Sequence, residues 1–208
     1  PKEYFEIAVG IVRKYGGLFI CDEVQTGFGR TGDKWFGIEH YGVEPDIMSM
    51  AKGIANGMPV GATIAKEEIA NSFTGLSLAT YGGNPVSMAA TKATIGVMER
   101  EDIPGRAAHL GKILREHLET MKEKYSSIGD VRGMGLMQAL EFVKDRDSRE
   151  PDPAITNAFL EAAKKNKLLL GKGGRYGNTI RIAPPMLISE SDLREGCRLI
   201  DQALSEIS

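Results

Sequence analysis

The chain has 208 residues, enough for one large domain or two small ones. Its net charge is −2 with both signs dispersed, which leaves no polybasic surface for nucleic acid or membrane. Only two cysteines are present, Cys21 and Cys197, far apart in the chain, so neither a disulfide framework nor a zinc site is expected, and the apolar stretches are too short for a transmembrane helix.

The first residues, Pro1-Lys2-Glu3-Tyr4-Phe5, carry no signal or transit features and no initiator methionine. The chain is therefore expected to begin inside a larger protein. Phe5, Ile7, Ala8, Ile11 and Val12 recur at helical spacing and predict a helix over about residues 2–15, ended by Gly16-Gly17. The apolar run Leu18-Phe19-Ile20-Cys21 predicts a strand over 18–22, with Cys21 as an inert core thiol. A glycine-rich loop, 26–32, and a short amphipathic piece with Trp35, Phe36 and Ile38 follow. Pro45 precedes a second strand over 46–50, residues 53–57 turn the chain, and 60–65 reads as a third strand. Asn84-Pro85 opens a long helix to about Arg100, because proline suits a first helical turn.

The stretch 101–105 reads as a break, and the next helix is expected over about 106–125. The domain boundary is placed at 102. Residues 131–143 predict two strands or one bent strand, interrupted by Gly133 and Gly135. A charged loop over 144–152, a helix over 153–166, a strand over 168–171, a glycine-rich surface loop over 171–177, a strand over 179–183 and a helix over 190–206 complete a smaller α+β unit. Alternation of this kind makes the chain an α/β protein with a layered sheet.

Two charged residues stand where this alternation brings chemistry. Asp22 closes the first strand, and Lys52 follows the second, Asp46-Ile47-Met48-Ser49-Met50-Ala51. The interval between them suits a crossover between neighbouring parallel strands. In an open α/β sheet the C-terminal strand ends are where ligands bind. Taken singly, Asp22 reads as a strand-end partner and Lys52 as a lysine reaching for solvent. Taken together, an amine able to form a Schiff base and a carboxylate able to keep a pyridine nitrogen protonated suit pyridoxal 5'-phosphate. The small neighbours Ala51 and Gly53 leave room for a bulky partner, and desolvation of the Lys52 amine would make it a better nucleophile. His40, His109 and His117 do not cluster with cysteines or carboxylates at ligand spacing, so no metal site is expected.

The run Phe19-Ile20-Cys21-Asp22-Glu23-Val24-Gln25-Thr26-Gly27-Phe28-Gly29-Arg30-Thr31-Gly32, followed by Pro45-Asp46-Ile47-Met48-Ser49-Met50-Ala51-Lys52-Gly53, closely resembles the signature of class-III aminotransferases dependent on pyridoxal phosphate. The resemblance continues through Thr80-Tyr81-Gly82-Gly83-Asn84-Pro85, through Gly129-Asp130-Val131-Arg132-Gly133-Met134-Gly135-Leu136-Met137 and through Ile180-Arg181-Ile182-Ala183-Pro184-Pro185. It covers essentially the whole chain in the family's order, and its details look most like type 2 alanine–glyoxylate aminotransferases and their bacterial relatives.

The resemblance implies fold type I of the pyridoxal-phosphate transferases. Residues 1–102 would be the C-terminal part of the large cofactor-binding domain, and 103–208 the small C-terminal α+β domain. Lys52 matches the lysine that forms the Schiff base and shuttles a proton. Asp22 matches the aspartate on the pyridine nitrogen, and Gln25 the residue hydrogen-bonding the phenolic oxygen. Val24 would pack on one face of the ring. Thr80 matches a threonine that binds the phosphate of the neighbouring subunit. Arg181 matches the arginine that grips a substrate carboxylate, to which its planar fork is suited. Without the resemblance, Thr80 reads as part of a helix-entry loop and Arg181 as a surface arginine; Arg132 is left structural.

The resemblance further implies a homodimer or tetramer and amino acid and keto acid substrates such as alanine with glyoxylate or pyruvate; a cytoplasmic location is expected, with a mitochondrial parent left open. Family members carry the main phosphate loop and the stacking aromatic residue before the position of Pro1. The 208 residues alone are therefore expected to be the C-terminal half, and inactive. Three alternatives stay open: a 4-aminobutyrate, ornithine or acetylornithine aminotransferase; racemisation or aminomutation on the same scaffold; and a non-catalytic fragment.

Overall fold

The computed structural model describes residues 1–207, which divide into two compact units, the first Pro1–Gly105 and the second from Arg106 onward.

In the first unit, helix α1 (Tyr4–Lys14) leads through a glycine turn, with Gly16 at φ +73°, to strand β1 (Ile20–Asp22). Strand β2 (Ile47–Met50) runs parallel to β1, and β3 (Ala62–Ala65) runs antiparallel to β2. The sheet order is β1-β2-β3, so the two strands that end near Asp22 and Lys52 are neighbours. Helix α2 (Glu67–Asn71) is short, and α3 (Pro85–Arg100) is long. The Asn84 side chain accepts from Ser87 N–H at 3.0 Å and caps α3. Such a cap contributes about 1 kcal/mol.

Asp46, just before β2, anchors the layer beneath. Its buried carboxylate accepts from Phe19 N–H at 2.8 Å, from the Lys66 ammonium at 2.8 Å and from the Arg13 guanidinium at 3.1 Å. Phe5 packs against Phe19 and Tyr41 with ring centroids 6.0 and 4.8 Å away. Of the face expected for α1, Phe5 and Ala8 are half-buried and Ile7, Ile11 and Val12 are exposed, while the buried residue of the helix is Val9, outside that face. Ile20, on the outer strand β1, is exposed as well.

The second unit has the denser core. Its sheet is antiparallel in the order β4-β5-β7-β6, built from β4 (Ile128–Met134), β5 (Met137–Phe142), β6 (Gly171–Gly173) and β7 (Thr179–Ile182). Gln138, Leu140 and Phe142 alternate inward on β5, as the period of a strand requires. Helices α4 (Ile103–Lys124), α5 (Pro153–Lys165) and α6 (Glu190–Ser205) contribute apolar stripes at helical spacing, such as Leu110, Leu114 and Leu118 on α4 and Leu193, Cys197, Ile200 and Leu204 on α6.

Three sequence-based boundaries need correction. The break between α3 and α4 is only Glu101-Asp102, because Pro104 and Gly105 lie in the first turn of α4, where Asp102 Oδ1 accepts from Gly105 N–H at 3.2 Å. The strand expected over 168–171 falls instead at Gly171–Gly173, inside the stretch expected to be a loop, because the pairing of Gly171, Lys172 and Gly173 with Arg181, Ile180 and Thr179 sets its position. The region 131–143 is a hairpin, and its first strand starts earlier, at Ile128.

Candidate active site

The parallel register places Asp22 opposite Ser49, and the chain reaches Lys52 three residues further on. Both charged residues therefore lie at the C-terminal ends of adjacent parallel strands, and both are exposed. The ladder continues one residue past β1, since Glu23 N–H donates to Ser49 O at 2.9 Å. Asp22 Oδ1 accepts from Val24 N–H at 3.0 Å, which turns the chain sharply after the strand. Lys52 itself has φ +49° and opens a 3₁₀ turn, Lys52–Ala55, against which α3 packs. Gly53 faces Phe28: a Cβ at Gly53 would lie 3.6 Å from the Phe28 Cβ. Phe28 is buried and meets Phe36 edge-on at 5.7 Å.

Desolvation of Lys52, expected from its neighbours, is not what the chain provides, because the residue is exposed. Gln25 is exposed, Val24 half-buried, and Thr80 exposed in the turn that precedes α3. Arg181 belongs to the second unit. It is exposed on β7, opposite Ala139 of β5 and Gly171 of β6, and its stem runs along Gly173, where an added Cβ would lie 3.1 Å from the arginine Cδ. Arg132 is tied to Asp130 at 3.1 Å and to Glu141, as a structural arginine would be.

Sequence reasoning passed over Glu23. Its side chain is 1% exposed, and its carboxylate accepts from Ile38 N–H at 2.7 Å, Gly37 N–H at 2.9 Å and the Thr26 hydroxyl at 2.5 Å. The two backbone donors are 14 and 15 residues away, so no local pattern announces them. Burial, followed by the Glu23 and Asp22 charges, pushes the Cys21 thiol up to about 12, consistent with an inert core cysteine. Among the described residues, no three His, Cys, Asp or Glu side chains stand together as a metal site would require, and no helix is long and apolar enough to cross a membrane.

The donor set at these strand ends can be tested against a cofactor by its chemistry. An exposed amine, an exposed carboxylate on the adjacent strand and an exposed amide close behind it would suit the carbonyl, ring nitrogen and phenolic oxygen of pyridoxal 5'-phosphate. The model of the family "Aminotransferase class-III" matches residues 1–204, and the chain belongs to that family.

The chain is 44% identical over 205 residues to alanine–glyoxylate aminotransferase 2 homolog 2, mitochondrial, of Arabidopsis thaliana, which covers 98% of this chain and 43% of the relative. It is 37% identical over 206 residues to an alanine/serine racemase of Pyrococcus horikoshii, covering 99% of this chain and 43% of the relative. A crystal structure of a Bacillus anthracis aminotransferase superposes with a TM-score of 0.93 at 34% identity, covering 99% of this chain and 48% of that one. The fold is therefore that of the transaminase structures, and the chain spans less than half the length of these relatives.

Proposed function

We propose that this chain carries the Schiff-base lysine of a pyridoxal-phosphate-dependent aminotransferase, which moves an amino group between an amino acid and a keto acid, with alanine and glyoxylate or pyruvate as candidate substrates. The observation that supports the reading is the parallel pairing of β1 and β2, which brings Asp22 and Lys52 to one sheet edge. When bound, pyridoxal 5'-phosphate supplies an electron-withdrawing ring that takes up the charge left when a substrate Cα loses its proton. Lys52 Nζ holds the cofactor and then moves that proton. The Asp22 carboxylate keeps the pyridine nitrogen protonated. Gln25 donates to the phenolic oxygen, Val24 covers a ring face, and Thr80 serves the phosphate of the partner subunit in a homodimer or larger assembly. Arg181 binds the substrate carboxylate through its fork. Residues 1–102 then serve as the C-terminal part of the cofactor domain and 103–208 as the small domain, in a cytoplasmic enzyme. The 208 residues alone are proposed not to turn over.

A second reading, amino acid racemisation, is favoured by the name of the Pyrococcus relative. Product analysis of the intact protein separates the two. Consumption of L-alanine only when a keto acid is added, with a new amino acid formed, is the outcome expected here; formation of D-alanine without an acceptor would replace the reading with racemisation. Borohydride reduction of the loaded protein should leave the cofactor on the peptide containing Lys52, and a label on Lys66 instead would overturn the lysine assignment.

A further inference from the structure

Glu23 is the one fully buried carboxylate among the described residues, and the proposed chemistry makes no use of it. It sits between Asp22 and Val24, at the point where the strand ends and the loop begins. Its main chain bonds in two directions: Glu23 N–H donates to Ser49 O at 2.9 Å, and Glu23 O accepts from Gly27 N–H at 2.9 Å. Its side chain reaches in a third. Oε1 accepts from Ile38 N–H at 2.7 Å and faces Cys21 Sγ at 3.6 Å; Oε2 accepts from Gly37 N–H at 2.9 Å and from Thr26 Oγ1 at 2.5 Å.

Four donors meet two oxygens, which is the full acceptor capacity of a carboxylate and more than an amide can offer. The approach also demands glycine at position 37, since a Cβ there would come within 2.9 Å of the Thr26 Cβ. A buried charge is a poor way to gain stability alone, because a well-packed apolar side chain does as well or better. What it supplies here is location. Segments distant in sequence, the end of β2 and residues 37–38, are referred to the single residue that separates Asp22 from Val24 and Gln25.

We infer that Glu23 is a positioning residue: its buried carboxylate fixes the backbone of the Asp22–Gln25 turn relative to β2 and residues 37–38, and so holds the cofactor-binding side chains of that turn ready. This inference rests on the function proposed above.

The test is Glu23→Gln in the intact protein, with Asp46→Asn as a control that weakens a buried anion in the same unit away from the turn. Two quantities are read: the dissociation constant for pyridoxal 5'-phosphate, and hydrogen exchange at the Gly37 and Ile38 amides without cofactor. The expected result is a rise of at least tenfold in the dissociation constant, with exchange at both amides faster by a similar factor, while Asp46→Asn leaves both within twofold. If Glu23→Gln does not fold, Thr26→Val removes one of the four donors and keeps the charge; it should raise the dissociation constant two- to fivefold. A folded Glu23→Gln with wild-type cofactor affinity overturns the inference, as does an unfolded Glu23→Gln accompanied by an unchanged Thr26→Val. Failure of the function proposed above would look different, because the wild-type protein itself would then take up no cofactor on Lys52.

Discussion

Asp22 pairs with Ser49 in the parallel β1–β2 ladder, so the carboxylate of one strand end stands beside the backbone that leads directly to Lys52. This relationship predicts the consequence of removing the charge while keeping the shape. Asp22→Asn should fold normally, since Asp22 is exposed and an amide oxygen still accepts from Val24 N–H. Turnover of the intact protein should fall by roughly 10²–10³, the loss typical of deleting one preorganised electrostatic partner. Steady-state kinetics beside a melting curve decides it: turnover near wild type would leave Asp22 as a strand-end partner only.

Asp46 predicts an acid limb in stability. Its bond from Lys66, then that from Phe19 N–H, then Arg13, hold its carboxyl well below the usual carboxylate range. A group whose folded pKa is depressed contributes stability that is fully present above its unfolded value, about 3.9, and is lost as pH falls through the folded value. Asp46→Asn should therefore melt below wild type at pH 7, and the gap should close as pH drops from about 4 downward. Melting curves across that range check the sign, and a gap that widens in acid would contradict it.

In the second unit, α4 and the β4–β5 hairpin touch backbone to backbone. A Cβ on Gly111 would lie 2.6 Å from Gly135 Cα, where nothing flexible can yield. Gly111→Ala should cost about 1–3 kcal/mol or more by forcing helix and hairpin apart. Gly196→Ala on α6, where an added Cβ meets nothing within 4 Å, should instead stabilise by about 0.5–1 kcal/mol. Urea denaturation of both variants measures the difference; equal midpoints would mean that the hairpin can shift at little cost.

The local features of this chain were legible in its sequence. The α3 start follows from Asn84-Pro85 because both signals act within one turn, and the Asp22–Lys52 interval reads correctly as a parallel crossover because β1 and β2 are adjacent. What escaped depended on distant partners. Leu168–Leu170 has the composition of a strand, yet the ladder with β7 selects the glycines that follow. Pro104 looked like a terminator although it serves equally at a helix start. Nothing local marks Glu23, and only the fold brings Gly37 and Ile38 to it.

Lys52 occupies a left-handed backbone conformation that a side chain with a Cβ adopts at a cost of about 1–2 kcal/mol relative to glycine. Backbone preference and the proposed chemistry thus ask for different residues at one position. Glycine would relax the turn but carry no amine; lysine brings the amine and leaves the turn strained. The strain is met next door, where Ile54 and Ala55 are buried and α3 packs over the turn. The fold thereby spends part of its cohesion at the point where the amine leaves the sheet, and the α3 packing carries a task beyond filling space: it keeps an intrinsically unfavourable bend from unwinding.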